Sequence, residues 1–229
     1  EFLGDSKMLV DILKEYSPEQ LADLMNINNK LSNLNTERFI QWNDEFSPDN
    51  ASPALLTFKG EVYNGLKAEE LTTDDLDFAQ DHVRILSGLY GILRPMDLIK
   101  SYRLEMGTKL KNKRGDDLYK FWDDKLTLSL KKVLDLHEEK VLLNLASNEY
   151  FNAIDTGKLG TRILSCQFKE ERDGKFKFIT IYGKKARGLM TRFIIDNRID
   201  DPEELKAFDS EGYYFNSNLS DDDNFVFTR

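Results

Sequence analysis

"RILSCQFKEERDGKFKFITIYGKKARGLMTRFII", residues 162–195, decides the fold class, because two periodicities meet inside it. Leu164, Cys166 and Phe168 alternate with other side chains at the period of two that lines one face of a strand. Asp173-Gly174 then supplies a dipeptide suited to a two-residue hairpin, where the backbone takes positive φ. Further on, Ala186, Leu189, Met190, Phe193 and Ile194 recur at helical spacing. Strand, hairpin and helix therefore follow one another in a single stretch.

Reading outward, "EGYYFNSN" (211–218) and "NFVFTR" (224–229) form a closing pair of strands around an acidic loop at Asp221 to Asp223. Upstream, "KVLLNLAS" (140–147) is a short, nearly all-apolar run suited to a strand covered on both faces. The first half reads as helix. "SPEQLADLM" (17–25) offers Ser17 as N-cap, Pro18 at the first helical position and Gln20 at the third, a capping box. "NTERFIQW" (35–42) and "TTDDLDFAQDHVRILSG" (72–88) start similarly, with Asn35 or Thr36 and Thr72 or Thr73 as caps. In the latter, Leu76, Ala79, Val83 and Leu86 make a core stripe, widened by Phe78, His82 and Ile85 and ended by Gly88. Leu118, Trp122, Leu126, Leu130 and Leu134 predict one long helix from about Asp116 to Leu136. Helices come first and strands mixed with helices follow, which is the order of an α+β protein. We read residues 1–229 as a single compact domain with a mixed central sheet and surrounding helices.

Composition is that of an ordinary globular chain, with 40% hydrophobic and 11% aromatic residues. No apolar run reaches the ~20 residues that span a bilayer, and nothing resembles a signal peptide. The single cysteine excludes an internal disulfide, which fits a reducing cytoplasm. The net charge of -9 hides segregation. Residues 1–83 carry 6 basic and 17 acidic groups, residues 84–115 carry 8 and 2, residues 116–157 carry 5 and 9, residues 158–199 carry 11 and 4, and residues 200–229 carry 2 and 9. Two basic blocks between three acidic ones would make a bounded positive surface if the fold joined them.

The first basic block contains "ILSGLYGILRPMDLIKSYRLEMG" (85–107), with Gly88 and Gly91 three apart between an expected helix end and a short expected helix near Pro95. Glycines at such a turn leave backbone N–H groups open to a phosphate, with Arg94 beside them, as in a helix-hairpin-helix element. An ordinary turn would show the same pattern. In the second block, Lys184 and Arg187 fall on one side of the predicted helix and Lys185 and Arg192 on another. Gly188 inside that helix implies close approach of a backbone or a ligand, since an interior glycine costs about 1 kcal/mol relative to alanine. "FKGEVYNGL" (58–66) sets Lys59 just before, and Tyr63 and Asn64 between, two glycines, and "NLASNEY" (144–150) ends a strand with Asn144, Ser147, Asn148 and Glu149. Polar residues at a strand end line a site or cap the next helix.

Other chemistries find little support. His82 and His137 are the only histidines, so a His-based metal site is not expected, and His82 reads as a packed side chain. Cys166 reads as buried and inert. There is no P-loop, GxGxxG or GxSxG motif, and no cofactor is expected. Glu61, Glu105 and Glu149 are the available general acids or bases.

"FKGEVYNGL", "FAQDHVRILSGLYGILRPMDLIKSYRLEMG", "LYKFWDD", "NLASNEYF", "YGKKARGLMTRFII" and "FDSEGYYF", in this order, closely resemble the YaaA family of bacterial peroxide-stress proteins. The resemblance covers about Tyr16 to Arg229, downstream of the apolar strand and Ser-Pro-Ala-Lys motif with which family members open, so that strand is expected to be missing. It implies a cytoplasmic, compact α+β protein that binds double-stranded and branched DNA through a helix-hairpin-helix element and a positive cleft, linked to protection from hydrogen peroxide and reactive iron. On this chain the hairpin would be Gly88, Leu89, Tyr90 and Gly91. The implied basic positions are Lys59, Arg84, Arg94, Arg103, Lys184, Lys185, Arg187 and Arg192. A monomer acting on DNA is the leading expectation. The alternative is an enzyme acting on a nucleotide or nucleic-acid base in that cleft, with Asn144, Ser147 and Asn148 as its polar residues.

Overall fold

The computed structural model describes all 229 residues. Helix α1 (Leu3–Leu13) leads to α2 (Pro18–Met25), whose capping box is complete: the Gln20 amide donates to Ser17 Oγ, and the Ser17 amide donates to Gln20 Oε1 at 2.8 Å. Helix α3 (Asn29–Gln41) starts earlier than expected, because Asn28 Oδ1 accepts from the Leu31 amide. Asn35 and Thr36 lie inside it and donate back to the Leu31 and Ser32 carbonyls. The earlier cap wins because it adds helical turns at little further nucleation cost.

Strand β1 (Ser52–Pro53), the single turn α4 (Ala54–Thr57) and α5 (Glu61–Leu66) precede α6 (Thr73–His82), which Thr72 caps by accepting from the Asp75 amide at 3.2 Å. Helix α6 stops well before Gly88. Residues Ile85–Ser87 (β2) pair antiparallel with Gly91–Leu93 (β3), so the expected helix end is one arm of a β-hairpin. The run from Val83 to Leu86 suits either period; Ile85 and Ser87 are buried with Leu86 less so, and Gly91 at φ 75 turns the chain back. The helix expected near Pro95 is replaced by an Arg94–Asp97 turn leading to β4 (Leu98–Ile99), which pairs with β1. The flanking helices of a helix-hairpin-helix element are therefore not formed here.

Trp122 ends α7 (Leu118–Trp122) and α8 (Lys125–Leu134) begins after a break, where Asp123 takes φ 44 and ψ -133. One long helix was expected; the apolar stripe from Leu118 to Leu134 is buried as read, but the positive φ of Asp123 interrupts the helix that carries it. Strand β5 (Val141–Asn144), the short helices α9 (Asn148–Phe151) and α10 (Thr156–Leu159), β6 (Arg162–Arg172), β7 (Lys175–Lys177), α11 (Thr180–Asn197), β8 (Tyr214–Phe215) and β9 (Asn224–Thr228) complete the chain. The sheet order is β5-β6-β9-β8, with β6 parallel to both β5 and β9, β8 antiparallel to β9, and β7 antiparallel to the end of β6. Asp173 (φ 55) and Gly174 (φ 70) make the hairpin as their identities predict. Strand β5 is an edge strand of partly buried residues rather than one covered on both faces.

The chain forms two compact units, and α8 runs from one into the other. The first holds Glu1–Thr57, Val83–Ser129 and Ser147–Lys158. Its interior is organised by indoles: Trp122 Nε1 donates to the Gly88 carbonyl at 3.0 Å, and Trp42 Nε1 to the Tyr90 hydroxyl at 3.1 Å. The second holds Phe58–His82, Leu130–Ala146 and Leu159–Arg229. There Leu164, Cys166 and Phe168 of β6 face Ala186 and Met190 of α11, with Leu189, Phe193 and Ile194 packed beside them. Phe208 and Tyr213 close on Phe168, with ring centroids at 5.8 and 5.5 Å. Helix α5 lies against α11 through two facing glycines; a Cβ on Gly65 would overlap the Lys185 carbonyl, and one on Gly188 the Val62 carbonyl. The interior glycine of α11 is thus a helix-contact residue. No helix is long and apolar enough to cross a membrane.

Candidate functional site

Helix α11 sorts the basic residues of the second unit into two kinds. Arg192 is held by Asp196 at 2.7 Å, by Glu70 at 3.6 Å and by the Lys67 carbonyl, and Lys185 pairs with Glu211. Arg162, Arg198 and Arg229 are likewise held by Asp223, Asp75 and Glu170. Arg187 differs. It is half-buried, its guanidinium has no ion pair, and burial alone pushes its pKa below the ordinary arginine value. Lys184, one turn earlier, is exposed and has no ion pair either. Removing a guanidinium from water without a carboxylate is unfavourable unless another anion stands in for it.

A buried network backs this face. Glu170 accepts from Arg229 Nε at 3.0 and 3.1 Å and from the Tyr213 hydroxyl at 2.5 Å, and Arg229 also reaches Glu211, the partner of Lys185. The Arg229 guanidinium lies over the Tyr182 and Tyr213 rings, 5.2 and 4.5 Å from their centroids. Burial first, then the Glu170 hydrogen bond, raises the Tyr213 pKa, so the hydroxyl stays protonated and donates. Our reading of the sequence missed Glu211, Tyr213 and Arg229; the only signal was their place in "SEGYYF" and at the chain's closing strand.

The first basic block is arranged differently. Gly88, Leu89, Tyr90 and Gly91 are buried. A Cβ on Gly88 would overlap the Leu104 carbonyl, and one on Gly91 would lie 2.9 Å from Leu126 and 3.0 Å from Trp122. The Tyr90 amide already donates to Ser87 Oγ, and its hydroxyl bonds Trp42 and the Lys100 backbone. Arg94 is tied to Asp97 at 3.0 Å, Arg114 to Asp5 at 2.7 Å, and Arg84 is half-buried with Nη1 on the Val83 carbonyl.

Arg103 pairs with Glu105 through Nη2, while its buried Nε has no hydrogen-bond partner. Near it lies Tyr150, whose pKa is pushed up to about 12 by burial and then by Glu149 and Glu105. Glu149 Oε1 accepts from the Gly107 amide at 2.9 Å, and its backbone carbonyl accepts from the Tyr119 hydroxyl at 2.8 Å. The Gly107 end of "SYRLEMG" and the "SNEY" segment, residues 147–150, are therefore joined in space within the first unit. Ser147 precedes α9 without a side-chain cap, and Asn148 is exposed. Asn144 belongs to the second unit, where its Oδ1 accepts from the Ala146 amide at 3.0 Å; Lys59 is exposed in the same unit.

The two histidines meet, ring centroids 5.1 Å apart; His82 also stacks on Phe78 and reaches Asp200 at 3.2 Å. No three His, Cys, Asp or Glu side chains are disposed to hold a metal ion. Cys166 is buried under α11, and burial pushes its thiol up to about 12.

These segments are the ones whose order along the chain resembles a known family, and comparison with family models settles the point. A model described as peroxide stress protein YaaA matches residues 1–219 of the 229. The α+β chain with its basic α11 face and packed Gly88–Gly91 hairpin belongs to the YaaA family of peroxide stress proteins, and a role in the oxidative stress response follows from that membership.

Proposed function

We propose that the protein acts in the peroxide response by holding double-stranded or branched DNA through its phosphate backbone, with little sequence preference. The observation that carries this reading is Arg187, half-buried without a carboxylate beside exposed Lys184, where every other buried or half-buried arginine of the second unit has an acidic partner. A phosphate oxygen is the anion such a pair would take, by charge-assisted hydrogen bonds that carry no base information. Lys185 and Lys59 would flank the contact. Arg84, Arg94, Arg103 and Arg192 are less suited to it, because three of them already hold carboxylates and the fourth its own backbone.

Fluorescence-anisotropy titration of labelled duplex and four-way-junction DNA across a salt series tests this. The expected result is steep salt dependence, with Lys184→Glu or Arg187→Gln lowering the slope of log K against log salt by roughly one unit for each phosphate the variant no longer holds. An unchanged slope in both variants, or no binding at low salt, would overturn the reading.

A second reading, chemistry on a nucleotide or a nucleic-acid base, is favoured by the cluster of Arg103, Glu105, Glu149 and Tyr150 in the first unit. It expects turnover that Glu105→Gln abolishes while the fold is retained. Binding without product under all conditions would remove it.

A further inference from the structure

The hairpin between β6 and β7 and the first turn of α11 expose apolar side chains that the duplex contacts do not use. Phe176 is 36% exposed, Phe178 54%, Ile181 54% and Tyr182 36%. Single exposed apolar residues are ordinary, but four large ones within seven positions form a patch. Its rings are held in place. Phe178 lies on the first turn of α11 because Gly183 has no side chain there; a Cβ would come within 2.9 Å of Phe178 Cζ. One face of Tyr182 is occupied by the Arg229 guanidinium. Strand β7 pairs only with β6, which leaves its other edge open beside Phe176.

The patch is set among cations. Arg172, Lys175 and Lys184 have no ion pair, and Lys177 has only Asp173 at 3.9 Å, where both groups are exposed. Residues 172–192 contain a single acidic side chain, Asp173. The core of a protein-protein interface is depleted of charge, whereas here a lysine flanks Phe176 on either side. Pre-oriented aromatic faces interleaved with unpaired lysines match the requirements of unpaired bases on a phosphate chain, which need rings for stacking and cations for the backbone.

We propose that Phe176 and Phe178, with Lys175 and Lys177 around them, form a stacking site for the unpaired bases of a single-stranded nucleic acid. The site is separate from the Arg187 contact, and either can fail without the other.

The test uses the full chain and two labelled probes of about 20 nucleotides, oligothymidylate and an abasic strand with the same number of phosphates. Stacking predicts that oligothymidylate binds about tenfold more tightly than the abasic strand. Phe176→Ala with Phe178→Ala removes that difference and leaves duplex and abasic affinities unchanged. Equal affinity for the two probes in the unaltered protein overturns the proposal without relying on any variant. So does sedimentation showing a dimer that the double variant dissociates, which would make the patch a self-association surface, or anionic vesicles capturing the protein without competition from oligothymidylate. Duplex binding measured in parallel reports separately on the Arg187 site.

Discussion

The two basic blocks look alike as strings of residues and differ as parts of the molecule. Residues 84–115 hold 8 basic groups and residues 158–199 hold 11, and each block has glycines beside them. In the first block the arginines of the hairpin region hold carboxylates: Arg94 and Arg103 pair locally with Asp97 and Glu105, and Arg114 with the distant Asp5. In the second, Arg192 and Lys185 are held, but Arg187 and Lys184 are left without acids on a helix braced by a buried network. A cluster of cations becomes a binding surface only where the fold withholds counter-charges from it. Glycine follows the same logic, since in both blocks it serves close packing: Gly88 against Leu104 and Gly188 against Val62.

The largest expected effects concern those glycines. Gly188→Ala forces α5 and α11 apart and should cost about 3 kcal/mol, and Gly88→Ala should cost a similar amount, both read from urea midpoints. If Gly88→Ala were instead neutral in stability and abolished DNA binding, the hairpin would be the ligand site and the contrast between the blocks would collapse. Next comes charge. Arg187→Gln should lower the DNA salt slope by about one unit, whereas Arg94→Glu should leave it unchanged and cost only about 0.5 kcal/mol, the scale of an exposed pair. Equal effects at the two positions would erase the distinction.

A smaller effect should appear in acid. Hydrogen bonds from the Thr72 hydroxyl and amide, then from Arg198, lower the Asp75 pKa to about 2 from an ordinary value near 3.8. A depressed carboxylate contributes stability that is fully present above the unfolded pKa and is lost as pH falls through the folded one. The contribution should therefore fade between pH ~4 and ~2, and Asp75→Asn should flatten part of that limb of the denaturation curve. An unchanged limb would remove Asp75 from the account. Last, Cys166 should resist thiol reagents and peroxide in the folded protein at pH 8 and react at once in denaturant, because a thiol with its pKa near 12 presents almost no thiolate. Rapid labelling of the native protein would show that the β6–α11 core opens.

Local chemistry carried much of the fold into view. Ser17 with Gln20 and Asp173-Gly174 specify their cap and their turn within four residues and form as read, and of the two candidate caps Thr72 and Thr73 it is Thr72 that accepts from the Asp75 amide. Leu164, Cys166 and Phe168 alternate and do share the buried face. Errors fell where one pattern serves two structures. The run from Val83 to Leu86 fits a helix until Gly91–Leu93 pairs with it, and the stripe from Leu118 to Leu134 is buried despite the break at Asp123. For the site, sequence proposed the basic residues without ranking them, although the Asp196 four residues after Arg192 and the Thr191 four residues after Arg187 already set the two apart.

By itself the sequence determined the α+β class, the α2 capping box, the Asp173-Gly174 hairpin, the buried face of β6 and the family, since each depends on spacing and residue type over a short range. Tertiary structure alone decided which cations are neutralised, which glycines are packed and which aromatics stay open to water. Arg94 with Asp97 and Arg192 with Asp196 pair within four residues, but Arg229 finds Glu170 and Gly188 meets Val62 tens of residues away. Pairing and burial of that second kind are properties of the assembled neighbourhood, so no local pattern of residues encodes them.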